Sequence, residues 1–365
     1  MNLMKINERK HYIDNLRWII LLILIPYHTS MAWNCWGEPN YINFKSNRLI
    51  SSIVVFFSPY FMPVLFVLAG VSTKLAFKKR SCSEYIAERL KRLFIPMIFG
   101  TLTLMPVMSY IGDRFNNNYK GGFFRHYRIF FTKFTDLTGA DGGFSFGQFW
   151  FLFYLLIISV VCTAILTFLK LNVKTIKTPS ILTAILLGIP LPLLSEILSV
   201  GGKSFAEYAY LFMIGYFVFS NENMIDKLAK NVWIMLAVGV SAAFVNVYLF
   251  IWSESEYDYL NLTAKYISEW FMISALFGLA KKYLNSGSKK SSHMSHISFE
   301  FYIWHFIWVV LFEYIIYSIA NENSIIIFFG TILLSYIVTF VCCEISIRVP
   351  FLCFVTGVKY IAPPN

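Results

Sequence analysis

Charged residues are scarce in this chain of 365 residues. Asp, Glu, Lys and Arg make up 14% of it, whereas apolar residues make up 57% and the mean hydropathy is +0.61. Soluble domains carry about 25% charged residues, so the chain lacks the polar surface that a water-soluble protein needs. No stretch is polar enough to form a soluble domain, and residues 1–365 are predicted to form a single membrane-embedded domain.

Metal-binding and disulfide patterns are absent from the sequence. The six cysteines show no CxxC spacing, which is the usual sign of zinc sites and redox motifs. Three of them, Cys342, Cys343 and Cys353, lie in or beside the last apolar run, where small apolar residues pack helices. We therefore expect no disulfide framework, no metal site and no permanently bound cofactor.

A basic face and a cleavable leader are also missing. The net charge is +11, but the Lys and Arg residues lie in short segments between apolar runs, which indicates membrane topology rather than nucleic-acid binding. Met31-Ala32-Trp33 is a poor site for signal peptidase, so the first apolar run is expected to stay as a membrane span.

Long apolar runs dominate the sequence and predict an all-α, polytopic membrane protein. A bilayer-spanning helix needs about 20 apolar residues, and about ten runs approach this length. Their approximate ranges are 16–35, 50–72, 93–112, 148–169, 180–199, 205–220, 231–252, 263–280, 298–319 and 325–347. With the N-terminus inside, 22 of the 31 Lys and Arg residues lie on the inner side, so both termini are predicted to be cytoplasmic.

The longest outer loop, about residues 113–147, mixes glycines and asparagines with aromatic residues. Its segment 123–134 combines Arg125, Arg128 and Lys133 with Phe and Tyr, which predicts an interfacial helix. Long ordered loops are often functional, although a simple tether fits this one equally well.

The first predicted span carries Asp14, Arg17 and His28 on one helical stripe. At 100° per residue, Arg17 and His28 differ by about 20° and lie ~16 Å apart along the axis. Asp14 is three residues from Arg17 and is expected to pair with it. Pro26 removes one helical hydrogen bond and is expected to kink the helix and open space beside His28.

Ionisable groups inside a membrane span usually mark function. A neutral imidazole is the common general base near neutral pH, so His28 is predicted to activate a hydroxyl group. The alternative is a histidine whose hydrogen bonds are satisfied by a neighbouring helix.

Arg89 and Arg92 lie three residues apart in a predicted helix before the third span. Two guanidinium groups on one helical face bind phosphates well, and coenzyme A is the phosphate-rich donor of acyl transfer. The alternative is an ordinary basic loop that sets topology and attracts anionic lipids.

The ninth predicted span begins with Ser298, Tyr302 and His305 on one stripe. These residues are predicted to orient a donor or line its tunnel, and core packing is the alternative. Among the glutamates within or at the ends of spans, Glu269 and Glu313 are predicted to lie deepest, and any of these glutamates is a candidate partner for a histidine.

At these residues the chain resembles the acyltransferase-3 family of integral membrane acyltransferases. The matching segments are Arg17 to His28 (Arg-x10-His), 66–70 (Phe-x-Leu-Ser-Gly, with Ala69 in place of Ser), Arg89 to Arg92 followed by Pro96 (Arg-x-x-Arg before the third span), 149–152 (part of His-Leu-Trp-Phe-Leu) and 298–305 (Ser-x-x-x-Tyr-x-x-His). Residues 25–28 and 59–63 are most similar to the branch that contains glucan biosynthesis protein C, which is associated with succinylation of periplasmic glucans.

The resemblance implies an O-acyltransferase of the bacterial cytoplasmic membrane. It would move an acetyl or succinyl group from cytoplasmic acyl-CoA to a hydroxyl of an extracytoplasmic carbohydrate or other envelope acceptor. His28 would be catalytic, and Arg17, Arg89, Arg92, Tyr302 and His305 would bind substrate.

A transporter or flippase of glycans or small polyols is the alternative function, because such proteins also combine about ten spans with intramembrane charge and broken helices. An inverted repeat between the two halves would favour it, and the sequence shows no such symmetry.

Overall fold

The structure, a computed structural model, describes residues 10–134, 143–169, 179–253, 258–320 and 322–360. Within these residues the chain is mainly helical with almost no sheet, as the sequence predicted. The first half contains α1 (His11–Leu22), α2 (Leu24–Met31), α3 (Arg48–Phe57), α4 (Pro63–Ala76), α5 (Cys82–Arg89), a π-helical turn (Leu90–Phe94), α6 (Ile95–Asn116), α7 (Phe123–Thr132), a 3₁₀ turn (Gly147–Phe149) and α8 (Trp150–Phe168).

The second half begins with α9 (Ile181–Leu186), α10 (Leu191–Leu194) and a hairpin of β1 (Ser199–Val200) and β2 (Lys203–Ser204). It continues with α11 (Phe205–Ile214), a π-helical turn (Gly215–Phe219), α12 (Glu222–Lys230), α13 (Val232–Val247), a π-helical turn (Tyr248–Trp252), α14 (Asp258–Tyr283), α15 (Lys289–Ile319), α16 (Ser324–Ser346) and α17 (Pro350–Thr356). Gly201 and Gly202 form the hairpin turn with positive φ values of 56° and 70°, a conformation that glycine adopts without strain.

Among the residues that the structure describes, five helical segments are long and apolar enough to cross a membrane: Cys82–Asn116, Gly147–Phe168, Val232–Trp252, Lys289–Ile319 and Ser324–Ser346. The other predicted runs fall on shorter or interrupted helices and on α14. The run 50–72 is split into α3 and α4 by a turn that contains Pro59. The count of ten spans and the position of the termini therefore stay predictions.

The surface of α16 has the polarity expected of a helix in lipid. Its small polar residues Thr331, Ser335 and Thr339 are fully buried, whereas Leu333 and Ile337 are 62% and 51% exposed. Membrane helices pack through small residues and turn large apolar side chains outward. This arrangement supports a membrane environment for the bundle.

Close helix packing explains the glycine in the 66–70 motif. A methyl group on Gly70 would lie 1.9 Å from the backbone oxygen of Phe212, and one on Gly215 would lie 2.1 Å from that of Val67. Helix α4 and the segment that begins with α11 can approach this closely only because both contact positions lack a side chain.

Helix α15 is the central element of the bundle and packs against α1, α2, α6 and α16. It therefore meets the first-span stripe directly. The interfacial segment forms α7 as predicted, and a hydrogen bond of 2.8 Å between His126 Nε2 and Asp113 Oδ2 ties this helix to the end of α6.

Candidate active site

Two imidazoles from distant parts of the sequence lie side by side between α2 and α15. The ring centroids of His28 and His305 are 5.3 Å apart, and the His28 ring stacks on Phe306 at 3.9 Å. His305 Nδ1 donates a hydrogen bond to the carbonyl oxygen of Tyr302 at 2.8 Å. Because a carbonyl only accepts, Nδ1 carries a proton and a neutral His305 has Nε2 as its acceptor.

A break in the first helix places His28. Pro26 has no N–H, so the carbonyl oxygen of Leu22 has no donor four residues later. The structure ends α1 at Leu22 and starts α2 at Leu24, and the hydroxyl of Tyr336 donates to the Leu22 carbonyl at 2.6 Å. The break lies one turn before Pro26, at the carbonyl that the proline leaves unpaired.

His28 faces a large cavity of about 520 Å³, which we call the histidine cavity. Its polar lining includes His28, Gln148, Glu207 and Glu269, and the hairpin residue Lys203 lines the same space. A cavity of this volume holds a ligand the size of one or two sugar rings. The imidazole of His28 therefore reaches a space where a substrate can bind.

A second cavity, of about 280 Å³, contains the three predicted arginines and is called the arginine cavity. Arg17 Nη2 donates to the hydroxyl of Ser72 at 2.8 Å, and Asp14 Oδ1 lies 3.6 Å from Arg17 Nη1. Arg89 Nε donates to the hydroxyl of Tyr85 at 2.8 Å. These contacts hold Arg17 and Arg89 in place for an anionic ligand.

Glu88 provides the counter-charge in the arginine cavity. Its carboxylate pairs with Arg92 Nη1 at 3.4 Å and with Arg80 Nη1 at 2.5 Å. Two arginines thus share one carboxylate and retain donors that can bind phosphate. With Arg17 and Arg89, the cavity has four guanidinium groups against one glutamate in its lining.

Tyr302 lines both cavities and separates them. Its hydroxyl donates to the carbonyl oxygen of Gln148, whose side-chain Nε2 in turn donates to the carbonyl oxygen of Ile303 at 3.1 Å. The sequence predicted one passage that runs from the arginines to the imidazole. In the described part of the chain, the arginine cavity and the histidine cavity are instead distinct and meet at this tyrosine.

The predicted site residues are divided between the two cavities and the helix that leads to His28. Arg17, Arg89 and Arg92 line the arginine cavity, His28 lines the histidine cavity, and Tyr302 lines both. His305 is buried beside His28 and lines neither cavity. Asp14 pairs with Arg17, and Pro26 lies one turn after the helix break and lines neither of these two cavities.

Other residues in the two linings were not selected from the sequence. Gln148 holds Tyr302, Ser72 holds Arg17, and Glu88 balances the arginines. Gln148 is the first residue of the fourth predicted span and directly precedes its aromatic segment 149–152, which was a usable signal. Ser72 carries no signal in the sequence, because its role depends on a contact with Arg17, which lies 55 residues earlier on another helix.

Comparison with known protein families identifies the family of the chain. The model of the acyltransferase-3 family, described as an acyltransferase domain, matches residues 10–344. No curated protein and no solved structure shows a significant match. The match covers nearly the whole chain, including both histidines and all three predicted arginines. The chain therefore belongs to the acyltransferase-3 family and is a membrane acyltransferase that transfers an acyl group other than an amino-acyl group from a donor to a hydroxyl acceptor.

Proposed function

We propose that the enzyme takes its acyl group from acyl-CoA in the arginine cavity and transfers it to a hydroxyl acceptor in the histidine cavity. One observation carries the proposal: a cavity lined by arginines and a cavity lined by His28 meet at Tyr302. The proposed topology has ten spans with both termini in the cytoplasm, so that the arginine cavity faces the cytoplasmic pool of acyl-CoA.

The arginine cavity suits the charged part of the donor. Coenzyme A carries phosphates, and Arg17, Arg89 and Arg92 offer guanidinium donors that bind phosphate oxygens in pairs. The pantetheine arm would extend from these phosphates toward Tyr302. The thioester would then lie at the boundary between the two cavities.

His28 would act as the general base of the transfer. It takes the proton of the acceptor hydroxyl while that oxygen attacks the thioester carbonyl carbon. The carbon–sulfur bond breaks, the acyl group stays on the acceptor oxygen as an ester, and the CoA thiolate takes up a proton. The neighbouring His305 imidazole and the stacked Phe306 fix the plane of the His28 ring.

Tyr302 must move, or give up its hydrogen bond to Gln148, before donor and acceptor can meet. A hydroxyl that lies between the two cavities is also well placed to donate to the thioester oxygen, where negative charge develops. This role supports the substrate-binding assignment of Tyr302.

The proposed setting is the bacterial cytoplasmic membrane, and the proposed acceptor is a carbohydrate or another hydroxylated envelope molecule. The similarity of residues 25–28 and 59–63 to the branch of glucan biosynthesis protein C favours succinyl-CoA over acetyl-CoA as donor. Competition between the two donors in one assay would decide between them.

Release of CoA by the purified protein tests the proposal. The protein in detergent is given acetyl-CoA or succinyl-CoA with a sugar acceptor, and free thiol is measured over time. His28→Ala is expected to reduce release at least about 100-fold, since general bases contribute about 10²–10⁴-fold.

His293→Ala is the matched control, because His293 lies outside both cavities and pairs with Glu344. It is expected to keep full activity. Unchanged CoA release by His28→Ala would contradict the proposed role of His28.

A further inference from the structure

We infer that Glu269, supported by Glu207 and Lys265, forms the subsite that binds hydroxyl groups of a neutral carbohydrate acceptor in the histidine cavity. This inference rests on the proposed function and adds the residues that select the acceptor. All three residues line the cavity that His28 faces.

Glu269 has an open hydrogen-bonding position in this cavity. Its side chain is only 1% exposed, and its Oε1 has no hydrogen-bond partner among the described residues. A buried carboxyl oxygen without a partner costs roughly 1–3 kcal/mol. Its position in the lining of a cavity large enough for a ligand indicates that a bound molecule provides the missing donor.

Glu207 and Tyr266 extend this polar wall. The hydroxyl of Tyr266 donates to Glu207 Oε2 at 3.4 Å, and Glu207 is 7% exposed at the start of α11. Ser204 caps this helix by accepting a hydrogen bond from the backbone N–H of Glu207 at 3.1 Å. Glu207 is therefore held by its backbone and side chain, whereas Glu269 keeps one oxygen open.

The charges of the wall favour an uncharged donor. Lys265 lies one helical turn before Glu269 on α14 and interacts electrostatically with both glutamates. The pair of carboxyl groups thus already has a cation, and an ammonium group on the acceptor would compete with Lys265 for the same oxygens.

A neutral sugar meets these conditions best. Its hydroxyls donate to carboxyl oxygens without adding charge. An anionic sugar would face two carboxyl groups against one lysine and be repelled. The subsite thus selects acceptors by charge as well as by hydroxyl position.

Acceptor kinetics test the inference. CoA release from succinyl-CoA, and in parallel from acetyl-CoA, is measured in detergent while methyl β-D-glucoside, glucosamine or glucuronate is titrated. The unaltered enzyme is expected to use the neutral glucoside best. Glu269→Leu is expected to raise the KM for the glucoside at least about tenfold, while the KM for the acyl-CoA donor stays within twofold.

Glu269→Gln separates a hydroxyl ligand from an ammonium ligand. The amide keeps an acceptor oxygen, so the KM for the glucoside should rise less than with leucine. Glu313→Leu is the matched control, because Glu313 is equally buried, has no partner for either carboxyl oxygen among the described residues, and lies outside both cavities. It should leave both KM values unchanged.

An unchanged KM for the glucoside in Glu269→Leu would overturn the subsite while leaving the proposed acyl transfer intact. A preference of the unaltered enzyme for glucosamine or glucuronate would also overturn it. Absence of CoA release with every acceptor, in contrast, would count against the proposed function itself.

Discussion

The hydrogen bond from Tyr336 to the Leu22 carbonyl should contribute measurably to stability, and its contribution should depend on Pro26. The proline leaves this carbonyl without its helical donor, and the tyrosine hydroxyl supplies one at 2.6 Å. Tyr336→Phe leaves a partly buried carbonyl unsatisfied, which costs about 1–3 kcal/mol of the free energy of unfolding.

Pro26→Ala should reduce the stability cost of Tyr336→Phe, because it restores a backbone N–H four residues after Leu22. The restored helical bond satisfies the same carbonyl, so Tyr336→Phe in the Pro26→Ala background should cost less than about 1 kcal/mol. The double-mutant cycle should therefore show a coupling of about 1–2 kcal/mol between residues 26 and 336.

Unfolding in mixed micelles of dodecyl maltoside and SDS measures each free energy. Tyr248→Phe is the control, because Tyr248 is 61% exposed and its substitution should change stability little. Equal costs of Tyr336→Phe in the two backgrounds would refute the account of the helix break. The Pro26→Ala enzyme should also lose at least about tenfold in kcat, because a continuous helix moves His28 out of its position beside His305.

Three further predictions concern packing, the donor and pH. Gly70→Ala should lower the melting temperature, since the added methyl group meets the Phe212 backbone at 1.9 Å and overpacking costs about 1–3 kcal/mol. Gly122→Ala is the control, because a methyl group at Gly122 has open space. Equal melting temperatures of the Gly70→Ala and Gly122→Ala variants would refute the packing argument. Arg17→Lys should raise the KM for acyl-CoA at least about tenfold, because a lysine ammonium cannot donate to Ser72 and bind a phosphate in the bidentate manner of a guanidinium group. An unchanged KM would show that Arg17 does not bind the donor. Burial raises the pKa of Glu222, but hydrogen bonds from Lys10 and Lys281 outweigh it and hold the pKa below its usual value. The stabilisation by ionised Glu222 is therefore complete at neutral pH and is lost as the pH falls from about 4.3 through the lower folded-state pKa. The difference in melting temperature between the unaltered protein and Glu222→Gln should shrink from pH 7 to pH 3.5. A constant difference would contradict this role of Glu222.

Features that depend on one helix were predictable from the sequence. The ion pair between Asp14 and Arg17 follows from their spacing on one helix. The break near Pro26 also follows from the chemistry of proline, although the structure places it at Ile23, directly after the Leu22 carbonyl that Pro26 leaves without a backbone donor.

Features that depend on contact between helices were not predictable. The pairing of His28 with His305, the barrier formed by Tyr302 and Gln148, and the approach of Glu207 to Glu269 join segments far apart in the chain. A single sequence contains the residue types but not the helix neighbours. For the same reason, the sequence predicted one continuous passage where the structure has two cavities.

The central claim is that donor and acceptor approach Tyr302 from opposite sides and that His28 faces the point where they meet. An experimental structure of the protein with CoA bound tests this most directly. The account predicts CoA phosphates against Arg17, Arg89 and Arg92 and the thiol at Tyr302, on the path to His28. Phosphates in the histidine cavity, or a thiol directed away from Tyr302, would contradict it.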